Sequence, residues 1–213
     1  MAQNSMADQA YQALKEKILS LDSESYLSAR QFAAELGISY TPVREAFLRL
    51  QHEGYLRHVP RVGFFVQKSN IDDLIQYSQV RKCIEPFALE QVLGNFTPDC
   101  IQEMYEALEE QKSALTEGNI SKSLSADIKL HEVPLRLYGN RHLLTLYHTI
   151  REQNMFCSNH IVSTGLEESA LQEHEEWIRA IEANDKKKAL HLIQHHINTA
   201  EHNMKQGFIK IIT

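Results

Sequence analysis

The chain has few cysteines and no long apolar run. Its three cysteines, Cys83, Cys100 and Cys157, are odd in number and lack Cys-x-x-Cys spacing. This argues against a disulfide framework and predicts reduced thiols in the protein core. No apolar segment approaches the roughly 18 residues that span a bilayer, and no signal peptide is present. We therefore expect a soluble, cytoplasmic protein with no membrane partner.

Positive charge is also scarce, since the net charge is −6, which by itself argues against a nucleic-acid partner. The charge is unevenly distributed, however. Residues 1–68 carry 8 basic and 7 acidic side chains, whereas residues 69–213 carry 14 and 21. Within 28–68 the balance is 6 to 3. Because this excess is modest, we expect a homodimer to supply enough phosphate contacts for DNA binding.

Residues 28–56 have the layout of a helix-turn-helix. Gly37 lies where the first helix must stop, and Thr41 followed by Pro42 is typical of an N-cap and a first helical residue. Apolar residues repeat at helical spacing on both sides of the turn. The first stripe is Phe32, Ala33 and Leu36, and the second is Val43, Ala46, Phe47 and Leu50.

The second helix of this motif leaves Tyr40, Thr41 and Arg44 outside at its start, where a helix in a major groove presents side chains to bases. A β-hairpin with a basic tip at Arg61 and Gly63 follows. An ordinary helical hairpin fits the periodicity less well once this hairpin is included. The sequence predicts a winged helix-turn-helix domain over residues 1–68.

Residues 69–213 predict an antiparallel bundle of six helices. The predicted spans are about 71–94, 98–117, 120–138, 140–162, 167–183 and 185–206. Turn residues separate them, at Gly94 and Asn95, Gly118 and Asn119, Gly139 and Asn140, Thr164 and Gly165, and Asn184 and Asp185. The fold class is therefore mainly α, with a small β wing.

Four polar residues fall on bundle faces that are otherwise apolar. Asp127 and His131 are four residues apart on the third helix, and His174 and His196 lie on the inward stripes of the fifth and sixth. A histidine taken singly is more often a hydrogen-bonded core residue. Together with an inward carboxylate, the set favours a divalent transition metal: Zn²⁺, Ni²⁺, Fe²⁺ or Mn²⁺. His191 and His195 form a second i, i+4 pair that faces the other way.

Arg81 and Asn154 are also inward, on the first and fourth bundle helices. A buried arginine requires an anionic partner. Two partners are open at this stage: Glu85, one turn further on, or a small acidic ligand.

The chain resembles GntR-family transcriptional regulators of the FadR-type subfamily with an FCD ligand-binding domain, from Ala10 onward. The DNA-binding motif appears as Phe32-Ala33, Leu36-Gly37, Ser39-Tyr40-Thr41-Pro42-Val43-Arg44-Glu45-Ala46-Phe47, Leu50, Glu53-Gly54 and Gly63. The FCD motifs appear as Arg81 and Glu85, Asp127 and His131, Gly139-Asn140, His174, and Asp185, Ala189 and His196. Six bundle helices resemble the VanR-like branch.

The resemblance implies a homodimer that binds a palindromic operator and responds to a small carboxylate held by the metal and Arg81. Because Asn154 is also inward, we expect it to contact the effector as well. Arg30 would contact phosphate or base. The family's arginine before Thr-Pro is replaced here by Tyr40, which predicts a different operator half-site.

The leading hypothesis is a metabolite-responsive DNA-binding repressor. A metal-dependent enzyme is a rival, because such a centre can activate water. The sequence, however, offers no inward general base besides Glu85. A regulator with a purely structural metal is the third possibility.

Overall fold

The computed structural model describes the backbone of residues 5–67, 70–158 and 167–212, and the chain divides into two compact units, Met1–Ser69 and Asn70–Thr213. The predicted break at Thr164 and Gly165 lies outside the described backbone, and the side chain of Cys157 lies outside the described side chains. Among the described residues, no helix combines the length and hydropathy needed to cross a membrane.

The first unit contains three helices and a three-stranded antiparallel sheet. In chain order the elements are α1 (Met6–Leu19), β1 (Tyr26–Leu27), α2 (Ala29–Leu36), α3 (Tyr40–His52), β2 (Leu56–Val59) and β3 (Gly63–Val66). The strand order is β1-β3-β2, with Tyr26 and Arg57 both opposite Phe65. β1 was not predicted, because two residues are too short to show alternation.

The turn between α2 and α3 has the backbone conformation that its glycine favours. Gly37 ends α2 with φ +66°, a left-handed conformation that glycine adopts without strain. The predicted start of α3 was wrong: the N-cap is Ser39, and Thr41 and Pro42 lie inside the helix. Pro42 is tolerated there because the first four N–H groups of a helix have no partner within it. Leu36 is 37% exposed rather than buried, since α2 ends at this residue.

The core of the first unit contains both predicted stripes except Leu36, and it also contains residues of α1 and β3 that lay outside the predicted stripes. Its fully buried members include Leu14, Ile18, Val43, Phe47, Leu50 and Val66. The Phe47 ring packs against those of Phe32 and Phe64, at centroid distances of 6.0 and 4.9 Å. These contacts fix α3 against α2 and the wing, and so set which face of α3 is outward.

The second unit contains six helices in its described part. They are α4 (Ile71–Val92), α5 (Pro98–Thr116), α6 (Ile120–Tyr138), α7 (Arg141–Ser158), α8 (Glu167–Glu182) and α9 (Lys186–Ile212). Side-chain caps begin three of them, at Asn70, Thr97 and Asn119. The predicted bundle of six helices is confirmed, and α9 extends six residues beyond its predicted end.

The prediction that the thiols are buried was wrong for Cys83, which is exposed, while Cys100 is half-buried. Cys83 lies between the inward residues Arg81 and Ile84 on α4 and so falls on the outward face of that helix.

Candidate functional site

Asp127 and His131 on α6, His174 on α8 and His196 on α9 converge inside the bundle. All four are buried, and one ligand atom from each lies within 4.8 Å of the others. Nε2 of His174 is 3.1 Å from Nε2 of His131 and 3.2 Å from Nε2 of His196. Asp127 Oδ1 lies 3.3 Å from Nε2 of His174 and 3.7 Å from Nε2 of His131. The four residues predicted as ligands are thus brought to one point.

Each imidazole uses its other nitrogen in a hydrogen bond. The pairs are Nδ1 of His131 with Oε2 of Glu85 at 2.9 Å, Nδ1 of His174 with Oε1 of Gln111 at 2.9 Å, and Nδ1 of His196 with Oε2 of Glu173 at 2.8 Å. These oxygens only accept, so each Nδ1 carries the proton and each Nε2 presents a lone pair to the shared centre. Acceptors behind metal-binding histidines orient the rings in this way.

This arrangement fits a divalent metal ion. Lone pairs about 3 Å apart repel one another unless a cation lies between them. Ligand atoms that are each about 2.1 Å from a common ion lie roughly 3.0–3.4 Å apart, close to the spacing seen here. Three imidazoles and one carboxylate suit Zn²⁺, Ni²⁺ or Fe²⁺, and also Mn²⁺.

The pKa values of His131, His174 and Asp127 keep these three side chains in the state that binds a metal. Burial lowers the pKa of His131 to about 4, although Glu85 and Asp127 oppose the shift. Burial and the neighbouring His196 hold the pKa of His174 well below its usual value. Burial alone would raise the pKa of Asp127, but the charge of Arg151 and the histidines hold it well below its usual range. His131 and His174 are therefore neutral, and Asp127 is ionised.

The sequence left two partners open for Arg81, and in the structure Arg81 is paired with Glu85. Arg81 Nε lies 2.5 Å from Oε1 and its Nη2 3.3 Å from Oε2, and both side chains are buried. Burial would raise the pKa of Glu85, but Arg81 and His131 lower it far below its usual value. Glu85 therefore links the arginine to the cluster through His131.

A cavity of about 150 Å³ opens onto the cluster. Asp127 and His196 form part of its wall, together with Arg81 and Asn154, the two predicted effector contacts. An engineered cavity of about this volume holds benzene, so the space suits a small organic molecule. Leu124, Ala200 and Met204 supply an apolar side.

Sequence reasoning missed three residues at this site, Gln111, Glu173 and Arg151, and it also missed the contact of Glu85 with His131. The expectation that no inward general base exists besides Glu85 was wrong, because Glu173 is half-buried, lines the cavity and contacts His196. Arg151 is 4% exposed and donates from Nη2 to Asp127 Oδ2. His191 and His195 are exposed, in line with their predicted outward orientation.

The residues predicted to contact DNA lie on the surface of the first unit. Arg30, Tyr40, Thr41, Arg44 and Arg61 are exposed, and Tyr40 is 44% exposed at the first residue of α3. Gly63 is half-buried at φ +147°, where an added Cβ would lie 2.7 Å from the ring of Tyr26. A side chain at Gly63 would therefore force the ring of Tyr26 to move, and the positive φ would strain it.

A winged helix-turn-helix joined to a helical bundle with an internal cavity defines a class of DNA-binding regulators that carry a sensing domain. Residues 6–66 match the gntR family of bacterial regulatory proteins, and residues 76–199 match the FCD domain. The chain belongs to the GntR family, in its FadR-type subfamily with an FCD domain, and it is a transcriptional regulator.

Several curated relatives are named as regulators. The chain is 25% identical over 179 residues to the regulator YdhC of Bacillus subtilis, covering 83% of this chain and 80% of that protein. It is 28% identical over 167 residues to a D-xylose utilization operon repressor of Paenarthrobacter nicotinovorans, covering 78% and 74%.

Solved structures share the fold. McbR of Escherichia coli matches with a TM-score of 0.79 and 23% identity, covering 96% of this chain and 99% of that one. A GntR regulator from Rhodococcus matches with a TM-score of 0.80 and 19% identity, covering 94% and 97%. A metal-free FCD domain matches with a TM-score of 0.54 and 21% identity, covering 66% and 97%.

Proposed function

We propose that this protein is a repressor whose affinity for its operator changes when a small organic acid enters the cavity of its FCD domain. The observation that carries the proposal is the shared wall: Asp127 and His196 belong both to the histidine cluster and to the cavity. A divalent metal held by the four residues would act as a Lewis acid toward a carboxylate. A purely structural metal would not need a cavity beside it.

The exposed start of α3 binds the DNA, and its Tyr40, Thr41 and Arg44 contact bases. Arg30 on α2 and Arg61 in the wing contact phosphates or bases. The protein acts in the cytoplasm, where the operator lies. An acid can shift operator affinity only if it binds more tightly to one arrangement of the bundle than to another.

The operator is palindromic, and a homodimer binds it through its two copies of α3. Support for a dimer comes from residues 76–87 of α4 and 142–149 of α7, where no exposed side chain is Asp, Glu, Lys or Arg. The exposed residues in these segments are Gln76, Gln79, Cys83 and Phe87 on α4 and His142, Thr145, Leu146 and Thr149 on α7. Phe87 is 45% exposed and Leu146 41%. Interface cores are depleted of charge and enriched in aromatic residues.

Mobility-shift experiments on the DNA that flanks the protein's own gene test the DNA-binding part. A retarded complex that survives excess nonspecific DNA at low salt is expected, and Arg44→Ala should weaken it. Absence of any sequence preference would contradict the proposal. Sedimentation of Phe87→Glu tests the dimer, with monomer expected at concentrations where the wild type is dimeric.

A thermal-shift screen of small organic acids, run with and without a chelator, tests the sensing part. At least one acid should raise the melting temperature of the metal-loaded protein and lose this effect when the metal is removed. The same acid should change operator affinity. Ligand binding that persists in refolded, metal-free protein would instead indicate a structural metal.

A further inference from the structure

A second pair of potential metal ligands lies on the outer surface of the bundle. His191 and His195 are one turn apart on α9, and both are exposed. Their rings are nearly parallel, with 16° between the planes and 6.3 Å between the centroids. Residues four apart on a helix share a face, so the two imidazoles can reach one point in space. Neither belongs to the buried cluster of Asp127 and the three inward histidines.

Glu173 on α8 supplies a carboxylate next to this pair. Its Oε1 lies 3.8 Å from Nε2 of His195, while its Oε2 accepts a hydrogen bond of 2.8 Å from Nδ1 of His196. The side chain of Glu173 is 19% exposed and that of His195 58%, so solvent reaches both. The carboxylate therefore lies between the exposed pair and the buried cluster, with one oxygen toward each.

The two helices already place these three groups for chelation. Two histidines separated by three residues on one helix face bind a single ion in helical zinc sites. Ligand atoms around a common ion lie roughly 3.0–3.4 Å apart, so Nε2 of His195 and Oε1 of Glu173 need to approach only slightly. The rings of His191 and His195 must also turn toward each other, and exposed side chains change rotamer within nanoseconds.

This outer position should hold an ion less tightly than the buried cluster does. It offers only three ligands, and Lys187 and Lys188 add positive charge one turn before His191. The lysines do not block the position, because side chains on a helix lean toward its N-terminus. The lysines thus lean away from His191, whereas His195 leans toward it. Imidazole and carboxylate ligands together suit Zn²⁺, Ni²⁺ and Cu²⁺.

We infer that His191, His195 and Glu173 form a second, exposed site for a divalent transition metal, which fills after the buried site. An ion bound there joins α8 to α9 on the outside of the bundle. It binds Oε1 of Glu173 while Oε2 still accepts from His196, so one carboxylate serves both sites. The inference does not depend on the effector proposed for the cavity.

Calorimetric titration of the metal-free full chain with Zn²⁺ tests the second site. The wild type should bind two ions in two separate phases, with the tighter phase at the buried cluster. His191→Ala and His195→Ala should each keep the first phase and lose the second, whereas His202→Ala, at another exposed position on α9, should keep both. A second phase that survives in both His191→Ala and His195→Ala means that the ion binds elsewhere and overturns the inference. A single phase in the wild type overturns it as well.

Glu173→Gln tests the third ligand separately. The oxygen of the amide can still accept from Nδ1 of His196, but the negative charge beside His195 is gone. Removing an outer-shell partner of a metal ligand already costs roughly tenfold, so losing the charge of a ligand should weaken the second phase by at least that factor. Glu182→Gln, exposed at the end of α8, should leave the second phase unchanged. Equal affinity of the two variants would remove Glu173 from the site, and with it the link between α8 and α9.

Discussion

The Nε2 atoms of His174 and His196 lie 3.2 Å apart, although the Nδ1 atom of each ring already takes part in a hydrogen bond to a different acceptor. Two lone pairs thus face each other inside the bundle. The rings are held in place by Gln111 and Glu173, so the repulsion cannot be relieved by rotating either ring without losing one of these hydrogen bonds. A cation relieves it at no such cost.

Metal binding should therefore stabilise the fold. At an ion concentration a thousand times its Kd, the free energy of unfolding should rise by about 4 kcal/mol. His174→Ala should abolish most of this gain, whereas His191→Ala, at an exposed position, should retain it. Melting curves with added Zn²⁺ or Ni²⁺ and after chelation measure the effect. Identical curves for the wild type in both conditions would rule out a bound ion.

Glu85→Gln should destabilise the second unit, because it leaves the buried charge of Arg81 without its counter-ion. Breaking a buried ion pair by removing one partner typically costs about 3–5 kcal/mol. Metal affinity should also fall by roughly ten- to a hundredfold, since Glu85 holds His131. Urea unfolding and metal titration provide the two readouts, and Glu90→Gln, exposed on the same helix, is the control. Equal stability of the two variants would show that Arg81 finds another partner.

The convergence of Asp127, His131, His174 and His196 could be predicted because each lies on or beside an apolar stripe. Asp127 and His131 are one turn apart, and His174 and His196 share faces with buried isoleucines. Gln111 shows the same signal, since it continues the stripe of Met104, Ala107 and Leu108 on α5.

The sequence pattern did not identify Arg151 and Glu173 as residues of the site. Arg151 follows Tyr147 by four residues, and Glu173 precedes Trp177 by four, so both lie beside buried positions. Long charged side chains at such positions usually extend to solvent. Only the partners contributed by other helices, Asp127 for the arginine and His196 for the glutamate, show that they turn inward.

Glu201 on α9 should make stability depend on pH. It lies 2.5 Å from Nζ of both Lys82 on α4 and Lys205 on α9. Burial would raise its pKa, but hydrogen bonds from the two lysines lower it below the usual value. A lowered pKa in the folded state means that the contribution is present above the pKa of the unfolded chain and is lost as pH falls through the folded value.

The free energy of unfolding of Glu201→Gln should therefore be lower than that of the wild type at pH 7, by about 1 kcal/mol or less because the lysines are partly exposed. The difference should begin to shrink as pH falls through about 4, where glutamate in the unfolded chain becomes protonated, and should disappear below the lowered pKa of the folded state. Glu176→Gln, exposed on α8, should show no such trend. A difference that stays constant down to pH 3 would mean that the charge of Glu201 contributes nothing.

Tyr40→Arg should change which operator the protein prefers. Tyr40 is exposed at the first residue of α3, where arginine can donate two hydrogen bonds to a guanine and tyrosine offers only one hydroxyl. Selection from a random DNA library should recover a guanine-containing half-site with the variant, with discrimination of about 1–3 kcal/mol at that base pair. Leu48→Arg, which adds the same charge further along α3 at an exposed position, should raise affinity for all sequences alike. If Tyr40→Arg behaves like Leu48→Arg, the side chain at position 40 does not contact bases.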